Sequence, residues 1–227
     1  MEISLRLKTI ASMVDKCDCI VDVGTDHAYI PIYLVKNNIC KSAIASDINK
    51  GPIERAENNI RTKGLSNSIE CRLGAGLNPI KPNEAEGAVI AGMGGNMIKD
   101  ILEESQEVFK LLDFLVLQPI QNPEVLRKYI YDKGYKVLEE GIVFDENKFY
   151  EIIKIRYDNN PKKLEPIYYE IGKDLIDKNH KLLSEFINYK IDIYNKILIY
   201  IKEDTEGAKA RKKDIIKKIT KLKELLK

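Results

Sequence analysis

Short apolar runs alternate with helix-like stretches over the first 157 residues. The runs are Ile20-Val21-Asp22-Val23, Ala43-Ile44-Ala45-Ser46, Gly87-Ala88-Val89-Ile90-Ala91 and Asp113-Phe114-Leu115-Val116-Leu117, with a weaker one at Ser68-Ile69-Glu70-Cys71-Arg72. Such lengths suit strands covered on both faces. Between them, helical patterns occupy Pro31–Asn37, Pro52–Lys63 and Asn122–Lys133. Pro52 suits a first helical turn, where its missing N–H has no partner to lose, and Gly64 and Gly134 stand where two of these helices should stop. Strands that alternate with helices predict a parallel sheet with crossover helices. Tyr135–Phe144 and Lys148–Ile155 then read as adjacent strands joined by Asp145-Glu146-Asn147. The expected class is α/β: a Rossmann-like, class I methyltransferase plan whose mostly parallel sheet ends in an antiparallel hairpin.

The pattern changes after Asp158-Asn159-Asn160-Pro161. A first domain is therefore expected over 1–160 and a second over 161–227. From about Glu165 onward the chain is helical in pattern, lysine-rich and nearly free of Gly and Pro. Leu182, Phe186, Tyr189 and Ile193 form one seam, and Ile215, Ile219, Leu222 and Leu226 a second, with Thr205-Glu206-Gly207 as the expected reversal. Seams of this spacing suit a C-terminal α-helical coiled coil. Closure within one chain and pairing of two chains both satisfy the pattern, and a monomer is the expected form.

Composition narrows the class. With 44% hydrophobic and 32% charged residues the chain can bury a core, and no stretch approaches the roughly 18 apolar residues of a bilayer span. Met1-Glu2-Ile3-Ser4-Leu5-Arg6 lacks the apolar region of a signal peptide, so a cytoplasmic location is expected. Cys17, Cys19, Cys40 and Cys71 lack zinc-gripping spacing and are expected as small buried hydrophobes; with only His27 and His180 besides, no metal site is expected. The net charge of +2 hides an asymmetry: from Asn160 onward 17 Lys and Arg face 11 Asp and Glu, while the rest of the chain has 20 against 24. The basic tail suits a polyanion, and a solvated helix face is the plainer alternative.

The chemistry concentrates in Val21-Asp22-Val23-Gly24-Thr25-Asp26-His27-Ala28-Tyr29-Ile30-Pro31, between the first strand and the first helix. Doubly wound folds hold their cofactor there. Gly24 permits close approach of a ligand, and Asp22 can meet the positive amino-acid end of S-adenosylmethionine. Asp26 and Ala28 stand where a dinucleotide fold would have glycines, and a carboxylate at Asp26 would repel pyrophosphate. Asp47 closes the second strand, placed to accept from both hydroxyls of a ribose; a helix cap is its plainer alternative. Two glycine clusters follow later strands. Gly74-Ala75-Gly76-Leu77 would let an adenine ring lie against backbone, and Ala91-Gly92-Met93-Gly94-Gly95-Asn96 falls where substrates meet the methyl donor.

On these stretches, together with Ser4-x-Arg6-Leu7, Asp47-Ile48-Asn49-x-Gly51-Pro52 and Leu117-Gln118-Pro119, the chain resembles the bacterial tRNA (adenine-22-N1)-methyltransferase family, TrmK. The resemblance implies methyl transfer from S-adenosylmethionine to N1 of adenine 22 in the D-arm of tRNA. It also implies a C-terminal helical coiled coil that contacts the tRNA. The cofactor-binding candidates are Asp22, Gly24, Thr25, Asp47, Ile48, Gly74, Ala75, Gly76, Ala91, Gly92 and Met93. Asp26, His27 and Tyr29 look like the catalytic residues, facing the base. A methyltransferase for another RNA position or a small molecule is the alternative reading. A binding protein on a decayed scaffold is a third.

N1 of adenine is neutral with a free lone pair, so the step needs placement and stabilisation of the emerging cation rather than a strong base. Asp26 can accept from the N6 amine, with a helix cap as its plainer role. Tyr29 can stack on the base or simply pack. N1 is paired in folded tRNA, so the base must be extracted or its arm opened. The densest basic cluster is Lys209, Arg211, Lys212, Lys213, Lys217 and Lys218, suited to phosphates.

Overall fold

A computed structural model describes residues 2–226. The chain divides into two compact units, 1–163 and 164–227.

Seven strands form the sheet of the first unit: β1 (Cys17–Val23), β2 (Cys40–Asp47), β3 (Ile69–Leu73), β4 (Gly87–Gly94), β5 (Phe114–Gln121), β6 (Tyr135–Asp145) and β7 (Lys148–Tyr157). Their order is β3-β2-β1-β4-β5-β7-β6. Each pairing among β1 to β5 is parallel, whereas β7 runs antiparallel to both β5 and β6. This is the expected sheet with its terminal hairpin. Glu146 and Asn147 make the hairpin turn with φ of 48° and 60°, the left-handed pair that matches the twist of the strands.

Period-two alternation sorts the apolar side chains to opposite faces. Ile20, Ala43, Ala45, Val89 and Val116 pack with α1 (Leu5–Ser12), α2 (Tyr29–Lys36) and α3 (Lys50–Thr62). Val21, Val23, Ile44, Ala88, Ile90, Leu115 and Leu117 pack on the other side with α4 (Gly95–Glu104), α5 (Gln106–Phe109) and α6 (Pro123–Asp132). The patterns over 31–37, 52–63 and 122–133 are thus helices, the first two starting two residues early. Helices α1 and α4 were not among the expected elements; α1 opens on Ser4, whose hydroxyl accepts from Leu7 N at 3.3 Å. At the hairpin edge, fully buried Arg127 on α6 is held by Glu140 and Glu151, each at 2.6 Å. Burying three charges is tolerable because they answer one another. The cysteines are all free, and only Cys40 is buried. Cys17 and Cys40 face each other across β1 and β2 with sulfurs 3.2 Å apart.

The second unit is helical. Short α7 (Pro166–Ile171) and α8 (Lys173–Asp177) precede α9 (Leu183–Tyr200) and α10 (Glu206–Glu224). The α9 seam is rotated from its expected face. Leu183, Phe186, Ile187 and Ile191 are buried, while Ile193 is 38% exposed. Polar contacts from Lys190 and Tyr194 to Glu170 tie α9 to α7, besides its packing on α10. On α10, Ile215, Ile219 and Leu222 are buried as expected, while Leu226 lies beyond the helix and is exposed. The reversal comes earlier than Thr205-Glu206-Gly207: Thr205 caps α10, its hydroxyl accepting from Ala208 N at 3.2 Å. Buried Glu170 ties the unit together, meeting Lys218 at 2.6 Å and the Tyr194 hydroxyl. Among the described residues no helix is long and apolar enough to cross a membrane.

Candidate active site

β1 lies where the order of connections reverses, with β2 on one side and β4 on the other. At such a switch point the C-terminal strand ends splay their loops and leave a crevice. Gly24 N and Thr25 N both donate to Ser46 O, at 2.8 and 2.9 Å, and pin the loop after β1 to β2. The chain turns at Gly24 with φ of +76°. That left-handed conformation favours glycine, and a Cβ there would also require the terminal methyl of Met93 to move. Thr25 is buried, and its hydroxyl accepts from Ala28 N at 3.2 Å. That bond helps hold Ala28 at φ of 52°, a left-handed conformation that costs an L-residue about 1–2 kcal/mol. Tyr29 therefore opens α2 directly off the loop.

A cleft of about 730 Å³ opens there. It brings together Asp22, Gly24, Thr25, Asp26, His27, Tyr29, Ala91 and Gly92 of the expected set. Glu2, Ile3, Ser4, Arg6, Leu7, Ile30 and Glu146 complete its lining. Asp22 is 7% exposed. Burial pushes its carboxyl up from 3.8 to about 6; the Thr25 hydroxyl opposes this and the Asp47 carboxylate adds to it. No cationic side chain is among the groups acting on Asp22. A buried carboxylate so placed fits a ligand that brings its own positive charge.

The remaining expected residues lie outside the cleft lining, and most follow the strand ends outward. Asp47 ends β2, opposite Leu73 on β3, and its backbone carbonyl accepts from Gly74 N at 2.9 Å. Its carboxylate accepts from Asn49 N at 2.7 Å. Ile48 is 66% exposed beside it. Gly76 turns at φ of +54° against Ile101 on α4, and Ala75 lies between the two glycines. Met93, on β4, covers Gly24 with its flexible thioether.

On the rim, Asp26 is bound by Arg55 through two guanidinium nitrogens, Nε at 3.0 Å. It also lies 3.4 Å from His27 Nε2. It does not cap α2; Ala28 occupies that position. His27 stacks on Tyr29 with ring centroids 5.1 Å apart and planes 13° from parallel. Asn59 Nδ2 donates to His27 O at 3.1 Å. Arg55 and Asn59 were missed in the sequence, although their four-residue spacing puts both on one face of α3, a face that the loop after β1 covers.

Residues 3–153 match the family model for a methyltransferase domain. The tRNA (adenine(22)-N(1))-methyltransferase of Bacillus subtilis strain 168 is 36% identical over 153 residues, which are 67% of this chain and 64% of that protein. A solved Streptococcus pneumoniae protein assigned as a tRNA (m1A22) methyltransferase superposes with a TM-score of 0.89 at 32% identity, over the whole of both chains. This chain belongs to the tRNA (adenine(22)-N(1))-methyltransferase family. A second structure of the pneumococcal protein, in complex with S-adenosyl-L-methionine, superposes at 0.88 with 31% identity over both full chains.

Proposed function

We propose that the protein transfers a methyl group from S-adenosylmethionine to N1 of adenine 22 in the D-arm of tRNA, in the cytoplasm and as a monomer. Residues 1–160 would form the cofactor-binding and catalytic domain, and residues 161–227 a coiled-coil appendage for tRNA. One observation carries the reading: a buried, cation-free Asp22 shares a cleft with the rim formed by Asp26, His27 and Tyr29.

S-adenosylmethionine, when bound, supplies an activated sulfonium methyl. Asp22 meets its ammonium, and that pairing replaces the hydration the carboxylate lost on burial. Asp47 accepts from the ribose hydroxyls. Ile48 and the Gly74-Ala75-Gly76 backbone would flank its adenine, and Gly24, Thr25, Ala91, Gly92 and Met93 would hold the rest of the donor.

The target base stacks against the His27–Tyr29 pair. Asp26 accepts from its N6 amine and favours the positive charge that spreads over the ring as N1 is alkylated. Arg55 aims Asp26, and Asn59 steadies the His27 backbone. No residue needs to remove a proton before attack, because N1 already presents its lone pair. Phosphates of the tRNA are met by Arg211, Lys212, Lys213 and Lys217 on α10. Lys218 is removed from the expected cluster by its pairing with Glu170, and Lys209 lies beside Asp204 and Glu206.

The test is methylation of two tRNA transcripts that differ only by adenine or guanine at position 22, using labelled S-adenosylmethionine and mapping the product. N1-methyladenine on the adenine transcript alone is expected. A methyl group at another position, or on neither transcript, would overturn the assignment of the acceptor.

A further inference from the structure

The hairpin that ends the sheet carries an aromatic pair one rung in from its turn. Phe144 of β6 faces Phe149 of β7, with ring centroids 4.8 Å apart and planes 53° from parallel. Such a cross-strand pair stabilises a hairpin, but this one is left open to solvent. Phe144 is 46% exposed, although Ile142 and Val143 before it are buried. The strand end that carries it is anchored, because Asp145 Oδ2 accepts from Arg6 N at 2.9 Å. The ring is therefore presented from a tied strand end rather than from a loose loop.

Because β7 runs antiparallel to β5, the hairpin turn lies at the same edge of the sheet as the C-terminal ends of β1, β4 and β5. Glu146, two residues beyond Phe144, lines the cleft with Asp26, His27 and Tyr29. Ile120 near the end of β5 and Met97 in the first turn of α4 are exposed at that edge too. Apolar side chains grouped beside a cleft mark a surface that a partner covers. Charge narrows the choice of partner. The cleft lining holds the carboxylates of Glu2, Asp22, Asp26 and Glu146, against Arg6 as its lysine-or-arginine cation. A phosphate would be repelled there, whereas the flat face of a nucleobase is uncharged. A stable protein partner needs about 800 Å² from each side, far more than three side chains expose.

Resting on the methyl-transfer reading above, we propose that Phe144, backed by Phe149, stacks on an unpaired nucleobase of the tRNA beside the target adenine. Extracting adenine 22 takes a stacking neighbour from the bases on either side and a pairing partner from the base across the stem. An aromatic ring near the mouth of the cleft offers one of those bases a new surface. It does so whatever the base, since each has a π-face. Phe144 is then a substrate-binding residue that helps hold the opened arm at the cleft and takes no part in the bond-making step.

Steady-state methylation of the intact tRNA transcript and of three abasic ones tests this. The missing base lies on the 5′ side of adenine 22, on its 3′ side, or opposite it across the stem. For the wild-type protein at least one abasic transcript should lose about 5- to 100-fold in kcat/KM, as the loss of one stacked base would give. Phe144→Leu should lose about as much on the intact transcript and no more on that abasic one, because the contact is already gone. Phe144→Tyr keeps a stacking ring and should behave as the wild-type protein, and all three proteins should share one Kd for S-adenosylmethionine. A wild-type protein indifferent to every abasic nucleotide would overturn the inference alone, as would full kcat/KM of Phe144→Leu on the intact transcript. Losses in Phe144→Leu that simply multiply with each abasic loss would also overturn it and make the ring a brace of the hairpin. A wild-type dimer that becomes a monomer in Phe144→Leu, read by light scattering, would put a second copy of the chain on the ring instead. A wild-type protein that methylates no transcript at N1 of adenine 22 would overturn the methyl-transfer reading and this inference with it.

Discussion

Replacing Asp22 with Asn removes a carboxyl group that folding carries to a site 7% exposed, with the Thr25 hydroxyl for help and the Asp47 carboxylate against it. Burial raises its pKa from 3.8 to about 6. A tenfold change in an ionisation constant corresponds to about 1.4 kcal/mol, so ionising this group costs the ligand-free fold about 3 kcal/mol. Because the folded pKa lies above the unfolded one, the contribution to stability is complete below about pH 4 and is lost as pH rises through about 6. Asn mimics the protonated acid. The variant should therefore match the wild-type protein near pH 4 and exceed its stability by up to about 3 kcal/mol at pH 7.5. For a unit of this size that is a rise of about 6–12 °C in Tm. S-adenosylmethionine should reverse the ranking, since only the carboxylate can answer its ammonium. Wild-type affinity should fall as pH drops through about 6, and the variant should show no such step. Thermal unfolding between pH 4 and 8, with and without ligand, measures both effects. Equal stability of the two proteins at pH 7.5, with the same pH slope, would refute the reasoning.

Three further outcomes are expected. Arg127→Met leaves Glu140 and Glu151 buried without their cation and should cost roughly 3–5 kcal/mol in urea unfolding; an unchanged midpoint would show that the two carboxylates find other relief. Arg55→Ala frees Asp26 and should lower kcat by roughly 10- to 100-fold with little change in cofactor Kd, whereas an equal kcat would remove Arg55 from the positioning of the base. Replacing Arg211, Lys212, Lys213 and Lys217 with Gln should weaken tRNA binding and flatten its dependence on salt, by about one log–log unit for every phosphate that the variant no longer neutralises; an unchanged slope would take α10 off the tRNA.

The sheet was legible because its strands are buried on both faces and therefore spell continuous apolar runs bounded by turn residues. The hairpin was legible because Glu146 and Asn147 sit between two long β-patterned segments. Helix α4 was hidden by Gly94-Gly95, which read as a turn; in the fold Gly95 instead packs so closely against Asn122 and Gln121 that a Cβ would clash with their carbonyls. The α9 seam was misplaced because the helix is apolar on several faces, so Leu183, Ile187 and Ile191 compete with Leu182, Tyr189 and Ile193 for the buried side. The grouping of Asp22 and Asp26 in one cleft was legible from their places at the end of β1 and in the loop after it. Arg55 and Asn59 were not, since an Arg or Asn on an amphipathic helix carries no local mark of the distant loop it will touch, and Arg6 stood in the Ser4-x-Arg6-Leu7 stretch without a role. Gln118 likewise stood in a motif without any mark of its burial or of the bond it accepts from Arg6.

The charges in the cleft bear on where catalysis can come from. Methyl transfer moves one positive charge from a sulfonium to an adenine ring a few ångströms away, so the total charge held by the site is the same before and after. A diffusely acidic lining would stabilise substrate and product alike and lower the barrier little, because only differential binding accelerates the step. The carboxylates must therefore be unequal in their placement. Asp22 lies deep at the end of β1, where on the proposed reading it would serve the amino-acid end of the donor throughout. Asp26 lies on the rim with His27 and Tyr29, where on the proposed reading charge would arrive only as N1 is alkylated. Arg55 tempers the charge of Asp26, and on the proposed reading its two bonds would also hold the carboxylate on the rim, away from the donor. On this account an Asp26→Asn variant should lose kcat while keeping its cofactor Kd, and Asp22→Asn should do the reverse at subsaturating cofactor. Identical kinetic signatures in the two variants would mean that both carboxylates feel the donor, and that the base is held by some other group.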